Sequence, residues 1–299
     1  MISWIWNALI EEVDQRCANR HRQQLRSKGV FLEVALVLGE YQGKRATDFN
    51  PSLGRTGHRD WSLLEVNTHW SAQKDTNNLG QVFARLVNKV RTPEAEFDIA
   101  DVRNILLSKS DLSTFATMES FENRSPNYEY GEGTSQDLQG CLDHNEIRCL
   151  KGTPLISDSF SSFGWDDRLL LNNHGGSHHF SAARRIAREL GVKVPLQLVQ
   201  HHHALDEATV GLIERTLALI LIPNQELLND LRSALRTEGV PIVQGDFRAP
   251  PYCGDDTKLL PLDLSNPLSS TAAAYLRRCG FTDLVSHLLE DFQQQMASR

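Results

Sequence analysis

The feature that most constrains the fold is a passage from an apolar segment through two glycines into a helix. Residues 169–176 read LLLNNHGG, and apolar residues then recur with helical spacing from Ser177 to Leu190. Gly191 is placed to end this helix, and Ser177 is placed to cap its start. The passage therefore predicts a strand, a tight turn and an amphipathic helix.

Apolar segments of strand length and helix length alternate around this passage. Strands are predicted at 29–43, 154–165, 168–173, 193–200, 241–247 and 258–264. Helices are predicted at 177–190, 206–222, 225–238 and in two C-terminal segments. Strands that alternate with helices are typical of α/β proteins, so we expect an α/β fold, with α+β as the alternative.

Changes in composition divide the chain into four predicted parts. Residues 120–140 are polar and rich in Gly and Ser, which predicts a mobile surface loop. We expect an N-terminal α/β region at 1–119, a core at 141–223, and a C-terminal extension of helices and strands at 224–299.

Charge, cysteines and hydropathy exclude several classes of protein. The formal net charge of -7 argues against a protein that depends on non-specific DNA affinity. The five cysteines include no C-x-x-C pair, so we expect reduced thiols and a cytoplasmic location. Glu11 and Glu12 interrupt the apolar N-terminus, which predicts an amphipathic helix over residues 1–17 rather than a signal peptide. No apolar run reaches the ~20 residues of a membrane-spanning helix, so no membrane partner is expected.

The glycine turn at 175–176 has the chemistry of an anion-binding site. Glycines let a ligand approach the backbone closely, and the first N–H groups of a helix attract negative charge. A turn that only packs, with Ser177 as its cap, would look the same. The residues of the turn leave both interpretations open.

The same segment resembles the ParB/sulfiredoxin-like superfamily over about residues 150–200. A hairpin strand, a glycine turn, a helix, a glycine and a strand led by proline follow one another in that order. ParB-type proteins carry Gly-Glu-Arg-Arg-x-x-Ala at the turn, and sulfiredoxins carry Gly-Gly-Cys-His-Arg. Residues 175–179 here read GGSHH, with Ala182 three positions further on. The resemblance implies a mixed-sheet core with added N- and C-terminal elements.

The resemblance also implies a nucleotide-binding protein that uses ATP or CTP with Mg²⁺. The residues that it places around the phosphate are Gly175, Gly176, Ser177 and His178. His174 is a further candidate for phosphate binding, and Arg184 or Arg185 could supply the positive charge. For a catalytic protein it implies a phosphotransferase or a nucleotide hydrolase. The catalytic residues would then be Ser177, His178 and His179.

Two residues depart from the patterns of the superfamily. Ser177 stands where sulfiredoxins carry their cysteine, so repair of sulfinic acids is not expected. His179 stands where an arginine clamps the phosphate, and an imidazole is only partly charged near neutral pH.

Two further functions stay open. One group of histidines, His174, His178 and His179, flanks the glycine turn. In a second group His201 and His203 would face the same side of a strand with Asp206 close behind, and imidazoles with a carboxylate suit Zn²⁺, Mn²⁺ or Fe²⁺. This pattern predicts a metal-dependent phosphodiester hydrolase. The other possibility is a non-catalytic regulatory module that uses a degenerate core to hold a protein or a nucleic acid. The expected partners are therefore a nucleotide or, for the module, a macromolecule.

Overall fold

Two β-sheets and the helices packed on them form the part of the chain that the computed structural model describes. That part comprises residues 15, 19–20, 23–26, 28–43, 45, 59, 61–67, 74–124, 132–147, 158–243, 246–254 and 256–298. The strands are β1 (Glu65–Asn67), β2 (Val87–Asp98), β3 (Val102–Ile105), β4 (Ser159–Phe163), β5 (Asp166–Asn172), β6 (Pro195–Leu205), β7 (Leu217–Ile222), β8 (Asp246–Arg248) and β9 (Lys258–Asp263). The helices are α1 (Leu32–Glu40), α2 (Lys74–Ala84), α3 (Met118–Glu122), α4 (Ser135–Leu142), α5 (Ser177–Leu190), α6 (Glu207–Thr216), α7 (Gln225–Thr237), α8 (Pro267–Arg278) and α9 (Leu284–Ala297). The fold is mixed α/β, as the alternation of segments predicts.

The first sheet has five strands in the order β2-β6-β4-β5-β3. Strand β6 runs antiparallel to β2 and parallel to β4, and β3 runs parallel to β5. Strands β4 and β5 form the predicted hairpin, whose turn lies at Gly164–Trp165. The predicted start of this hairpin, up to residue 157, lies outside the described residues. The sheet is therefore mixed, with parallel and antiparallel neighbours side by side.

Helix α5 packs its apolar face against this first sheet. Phe180, Ala183 and Ile186 are at most 2% exposed and belong to the same core cluster as Phe160 and Leu171 of the sheet. Helix α5 begins and ends at the residues that its periodicity predicts, and Gly191 ends it in the left-handed conformation. Helix α4 lies against α5, so the chain that leaves α4 passes the amino end of α5.

The second sheet is antiparallel, with the order β1-β8-β9-β7. All six residues of β7 are buried, because helices cover both of its faces. Ala218, Ile220 and Ile222 join the cluster that includes α7 and α8, and the alternate leucines join a cluster with α6 and α9. That second cluster also contains Phe163 of the first sheet, so it joins the two sheets.

The segment before α9 covers the outer edge of β7. Asp283 Oδ1 accepts hydrogen bonds from the backbone N–H groups of Leu219 and Val285, and Leu221 N donates to Thr282 O at 2.9 Å. The second oxygen of Asp283 forms an ion pair with Arg277. One carboxylate therefore satisfies an edge strand and begins a helix, which protects an apolar strand that would otherwise pair with other chains.

Two predicted segments contain the wrong type of element, and in the predicted strand at 241–247 the described residues 241–243 are not in a strand. Residues 29–43 predict a strand but contain α1, in which Val34 and Leu38 are buried one turn apart while Leu36 is 58% exposed. Residues 206–222 predict one helix, but α6 ends at Thr216 and β7 follows. Short apolar runs fit both periods, and packing against neighbours decides between them.

The two sheets draw strands from different predicted segments. Strands β2 and β3 come from the predicted N-terminal region, yet they share a sheet with β4–β6. The ends of the predicted loop at 120–140 are helical, in α3 and α4, and residues 125–131 lie outside the described part. The predicted N-terminal helix falls almost entirely outside it as well.

None of the helices in the described part is both long and apolar enough to cross a membrane.

A buried carboxyl group connects α9 to the chain before β1. Asp291 is 1% exposed; it accepts a hydrogen bond from Trp61 Nε1 at 2.8 Å and forms an ion pair with Arg59 at 2.5 Å. Burial raises the pKa of Asp291 to about 6, against the lowering effects of Arg59 and Trp61. The folded state therefore holds this proton more tightly than the unfolded chain does.

We expect the carboxyl of Asp291 to make stability depend on pH. Because its pKa is raised in the folded state, its contribution is fully present below about pH 4 and is lost as the pH rises to about 6, at roughly 1.4 kcal/mol per pH unit. Urea unfolding of wild type and Asp291→Asn between pH 4 and 8 measures the difference in unfolding free energy. A difference that stays constant over this range would contradict the assignment.

Candidate functional site

A cleft of about 480 Å³ opens at the turn between β5 and α5. Three segments line it: the turn itself, residues 107–109 after β3, and residues 144–146 after α4. Six residues singled out in the sequence lie together there. They are His174, Gly175, Gly176, Ser177, His178 and His179. The loop after β3 adds Lys109, a cation that the sequence analysis did not identify.

A buried asparagine holds two of these segments together. Asn173 is 4% exposed, and its Nδ2 donates to Leu107 O and to Gly175 O, each at 3.0 Å. Its Oδ1 accepts from Leu107 N at 3.1 Å. The side chain thus positions the turn relative to the loop that carries Lys109. The only sign of this role in the sequence is an asparagine at the end of an apolar strand.

Gly176 occupies the N-cap position of α5 with φ +67°, in the left-handed region. A Cβ built on it would lie 2.6 Å from Glu146 O, so only glycine fits without displacement of the backbone. The prediction that Ser177 caps α5 is wrong, because this close approach places the cap one residue earlier. Ser177 is the first helical residue, and its hydroxyl donates to Ser108 Oγ at 3.0 Å. The N-cap residue therefore offers no side-chain acceptor to the first N–H groups of α5.

His178 and His179 are half-buried imidazoles in the first turn of α5. His178 Nε2 lies 3.0 Å from Ser110 Oγ, and its ring contacts Phe121. Burial lowers the pKa of His178, and the charges of Arg124 and Lys109 lower it further. Burial also lowers the pKa of His179, with His144 as the next cause. Both rings are therefore mostly neutral at pH 7, as expected beside the positive end of a helix dipole.

His174 lies at the edge of the cleft and is oriented by a buried carboxylate. Its Nδ1 is 3.0 Å from Oδ1 of Asp158, whose side chain is 3% exposed. A carboxylate in this position fixes the orientation of an imidazole ring. The structure therefore gives His174 a defined pose beside Gly175.

Three side chains from two segments meet at the side of the cleft formed after α4. The rings of His144 and His179 stack with centroids 3.4 Å apart and an angle of 10°. One ligand atom each from His144, Glu146 and His179 lies within 4.8 Å of the others. Of these three residues, only His179 is among the site residues predicted from the sequence. The His-x-Glu spacing at 144–146 was the available sign of the other two.

The structure does not place Arg184 in the cleft. Its side chain is fully buried two turns further along α5, where it forms an ion pair with Glu122, itself 1% exposed. A second ion pair joins Arg184 Nη2 to Glu119 at 2.9 Å, and Ala100 O accepts another hydrogen bond. The positive charge is therefore used to attach α5 to α3.

His201, His203 and Asp206 are not brought together as a metal site in the described part of the chain. The predicted strand extends through the histidines, which lie within β6 between β2 and β4. His203 is 7% exposed and packs against Phe163, with the centroids of the two rings 5.0 Å apart. Asp206 caps α6 by accepting hydrogen bonds from the backbone N–H and the hydroxyl of Thr209, and these hydrogen bonds lower the pKa of Asp206. Each of the three has a role in the sheet or in a helix end.

We expect the close approach at Gly176 to be intolerant of a side chain. Gly176→Ala should lower the unfolding free energy by at least about 1–2 kcal/mol, from the left-handed backbone alone, with a further cost from the contact with Glu146. Gly175→Ala is the matched control, because its Cβ would lie 3.8 Å from the same oxygen, an ordinary contact. Urea unfolding of both variants is the measurement. Equal stabilities would contradict the geometry.

We expect Arg184 to contribute to stability rather than to ligand binding. Arg184→Met removes the buried partner of Glu122, leaves it only the partly exposed Arg188, and should cost about 3–5 kcal/mol. The double variant Arg184→Met, Glu122→Met removes both charges and should recover a large part of that loss. Urea unfolding of Arg184→Met, Glu122→Met and the double variant in a double-mutant cycle tests this. A stable Arg184→Met protein with weakened phosphate binding would instead indicate that Arg184 takes part in ligand binding.

Comparisons with known proteins give one match. No curated protein and no solved structure matches the chain. A model of a family of unknown function, DUF6685, matches residues 92–299, which is more than two thirds of the chain. The matched region runs from within β2 to the C-terminus and contains every residue of the cleft. The chain therefore belongs to the DUF6685 family.

Proposed function

We propose that the cleft binds the phosphate of a nucleotide. The observation that carries the proposal is the amino end of α5, which opens into the cleft with Lys109 and Ser108 among the facing residues. Helix α5 has 14 residues, long enough for a full dipole at its amino end. The ParB/sulfiredoxin-like core and its nucleotide remain predictions from the sequence, and the geometry of the cleft supports them.

The backbone of the first turn supplies the first set of donors. Gly176 offers no capping side chain. Gly175 leaves its backbone open to a ligand, whereas the space beside Gly176 is filled by the carbonyl group of Glu146. Two other helices begin differently: Asp206 caps α6 and Asn224 caps α7 with a side-chain oxygen, whereas α1, like α5, has no side-chain cap. A phosphate oxygen would take the position that those oxygens occupy elsewhere.

The side chains around the turn supply a positive charge and further donors. Lys109 is exposed on the loop after β3 and lies near enough to His178 for its charge to lower the pKa of that ring. Ser108 and Ser177 also line the cleft, and the hydroxyl of Ser177 donates to Ser108 Oγ at 3.0 Å. A neutral imidazole donates through one ring nitrogen, so His178 and His179 serve as hydrogen-bonding groups at neutral pH.

The side chains that line the cleft do not provide enough oxygen ligands to bind Mg²⁺ by themselves. Magnesium prefers six oxygen ligands, and Glu146 is the single carboxylate among the described residues that line the cleft. A magnesium ion that accompanies ATP or CTP would therefore be held by phosphate oxygens and water. The volume of about 480 Å³ lies within the range of small-molecule sites.

Calorimetric titration with ATP, CTP and pyrophosphate, each with Mg²⁺, tests the proposal. We expect Lys109→Met to weaken binding about tenfold, the usual loss for one charge-assisted hydrogen bond. Lys193→Met is the matched control, because Lys193 is exposed beyond the other end of α5, about 21 Å along the helix axis.

The three ligands separate recognition of the phosphate from recognition of the base. Equal affinity for pyrophosphate and both nucleotides would show that the cleft recognises phosphate alone. It would contradict the proposal that the ligand is a nucleotide. Absence of binding at millimolar concentration would reject the proposal as a whole. An equal loss in both lysine variants would show a general charge effect and would also count against the cleft.

A further inference from the structure

Two half-buried histidines and one exposed glutamate lie together at the cleft. Phosphate binding as proposed above does not require these three side chains to be close to one another. His144 and Glu146 lie on the chain after α4, separated by one residue, and His179 lies in the first turn of α5. Their ligand atoms are within 4.8 Å of one another. The backbone contact between Gly176 and Glu146 holds the two segments at this distance.

We propose that His144, Glu146 and His179 bind a divalent transition-metal ion of the Zn²⁺ class. Two imidazoles and one carboxylate are a usual ligand set for Zn²⁺, Fe²⁺ and Mn²⁺, whereas Mg²⁺ and Ca²⁺ prefer oxygen ligands alone. Three protein ligands leave a coordination position open for water or for a ligand oxygen. This site goes beyond phosphate binding and does not depend on it.

The present arrangement requires a small rearrangement to hold an ion. Zinc binds nitrogen at about 2.0–2.1 Å, so ligand atoms of a tetrahedral site lie roughly 3.3 Å apart. The rings of His144 and His179 are stacked and nearly parallel, so their in-plane lone pairs do not point at one position. One ring must turn out of the stack. His144 follows a helix end, and its Nδ1 accepts a hydrogen bond from Glu146 N at 3.3 Å, which rotation of this ring would break.

The position of the site gives the ion a direct relation to the cleft. All three side chains line the same cleft as Lys109 and the first turn of α5. A bound ion would add two positive charges beside the proposed phosphate position. Metal and phosphate should therefore strengthen each other's binding if both bind, which is a reciprocal requirement of linkage.

Titration of chelator-treated, tag-free, full-length protein with Co²⁺ and with Zn²⁺ tests the site without any nucleotide. We expect one equivalent of Co²⁺ to bind with absorption bands typical of nitrogen and oxygen ligands, and Zn²⁺ to displace it. His144→Ala and His179→Ala should each weaken binding at least tenfold, and Glu146→Gln should weaken it by a similar factor. Circular dichroism and melting temperature establish that each variant is folded.

His201→Gln is the matched control, because His201 belongs to the other group of histidines, in β6. We expect it to bind Co²⁺ as wild type does. Loss of binding in this variant, with binding retained in His144→Ala, would overturn the proposal. Absence of stoichiometric binding by wild type at micromolar Co²⁺ would overturn it as well.

A second titration separates this proposal from the first. Pyrophosphate binding to the wild type in the presence of chelator tests the cleft alone, and Co²⁺ binding without phosphate tests the metal site alone. Metal binding without phosphate binding would support the site and reject the phosphate proposal, and the reverse result would do the opposite.

Discussion

The cleft depends on one close approach of two backbone segments. Gly176 lies so near the carbonyl of Glu146 that a Cβ would stand 2.6 Å from its oxygen, and its φ of +67° suits only glycine without strain. This contact sets where α5 begins and holds residues 144–147 beside its first turn. The cap of α5 therefore carries no side chain, and the stacked rings of His144 and His179 come together at the same place.

Helix α5 has different tasks at its two ends. Its first turn lines the cleft, while further along Arg184 is buried in ion pairs with Glu122 and Glu119. A buried ion pair adds little net stability compared with apolar residues, but removal of one partner is costly, so the pair fixes how α5 lies on α3. The orientation of the amino end in the cleft follows from this attachment and from the apolar face on the first sheet.

Local patterns predicted the elements whose own residues decide them. The helix at 177–190 was predicted within its observed bounds, because a clear apolar period and a terminal glycine act within the segment itself. The predictions for residues 29–43 and 206–222 were wrong, because apolar runs without a clear period adopt the secondary structure that packing against their neighbours requires. In β7 the two faces belong to two separate core clusters, a requirement that no local window contains.

The sequence by itself determined the strand, the glycine turn and the helix, and with them six of the residues that line the cleft. Their chemistry follows from neighbours in the chain, which is why it could be predicted. Only the tertiary structure decided that Lys109, His144 and Glu146 face the turn, that Arg184 is buried, and that Asp206 caps α6 instead of joining His201 and His203 at a metal site. These positions depend on contacts between segments distant in the chain, where packing and buried charge outweigh local preference.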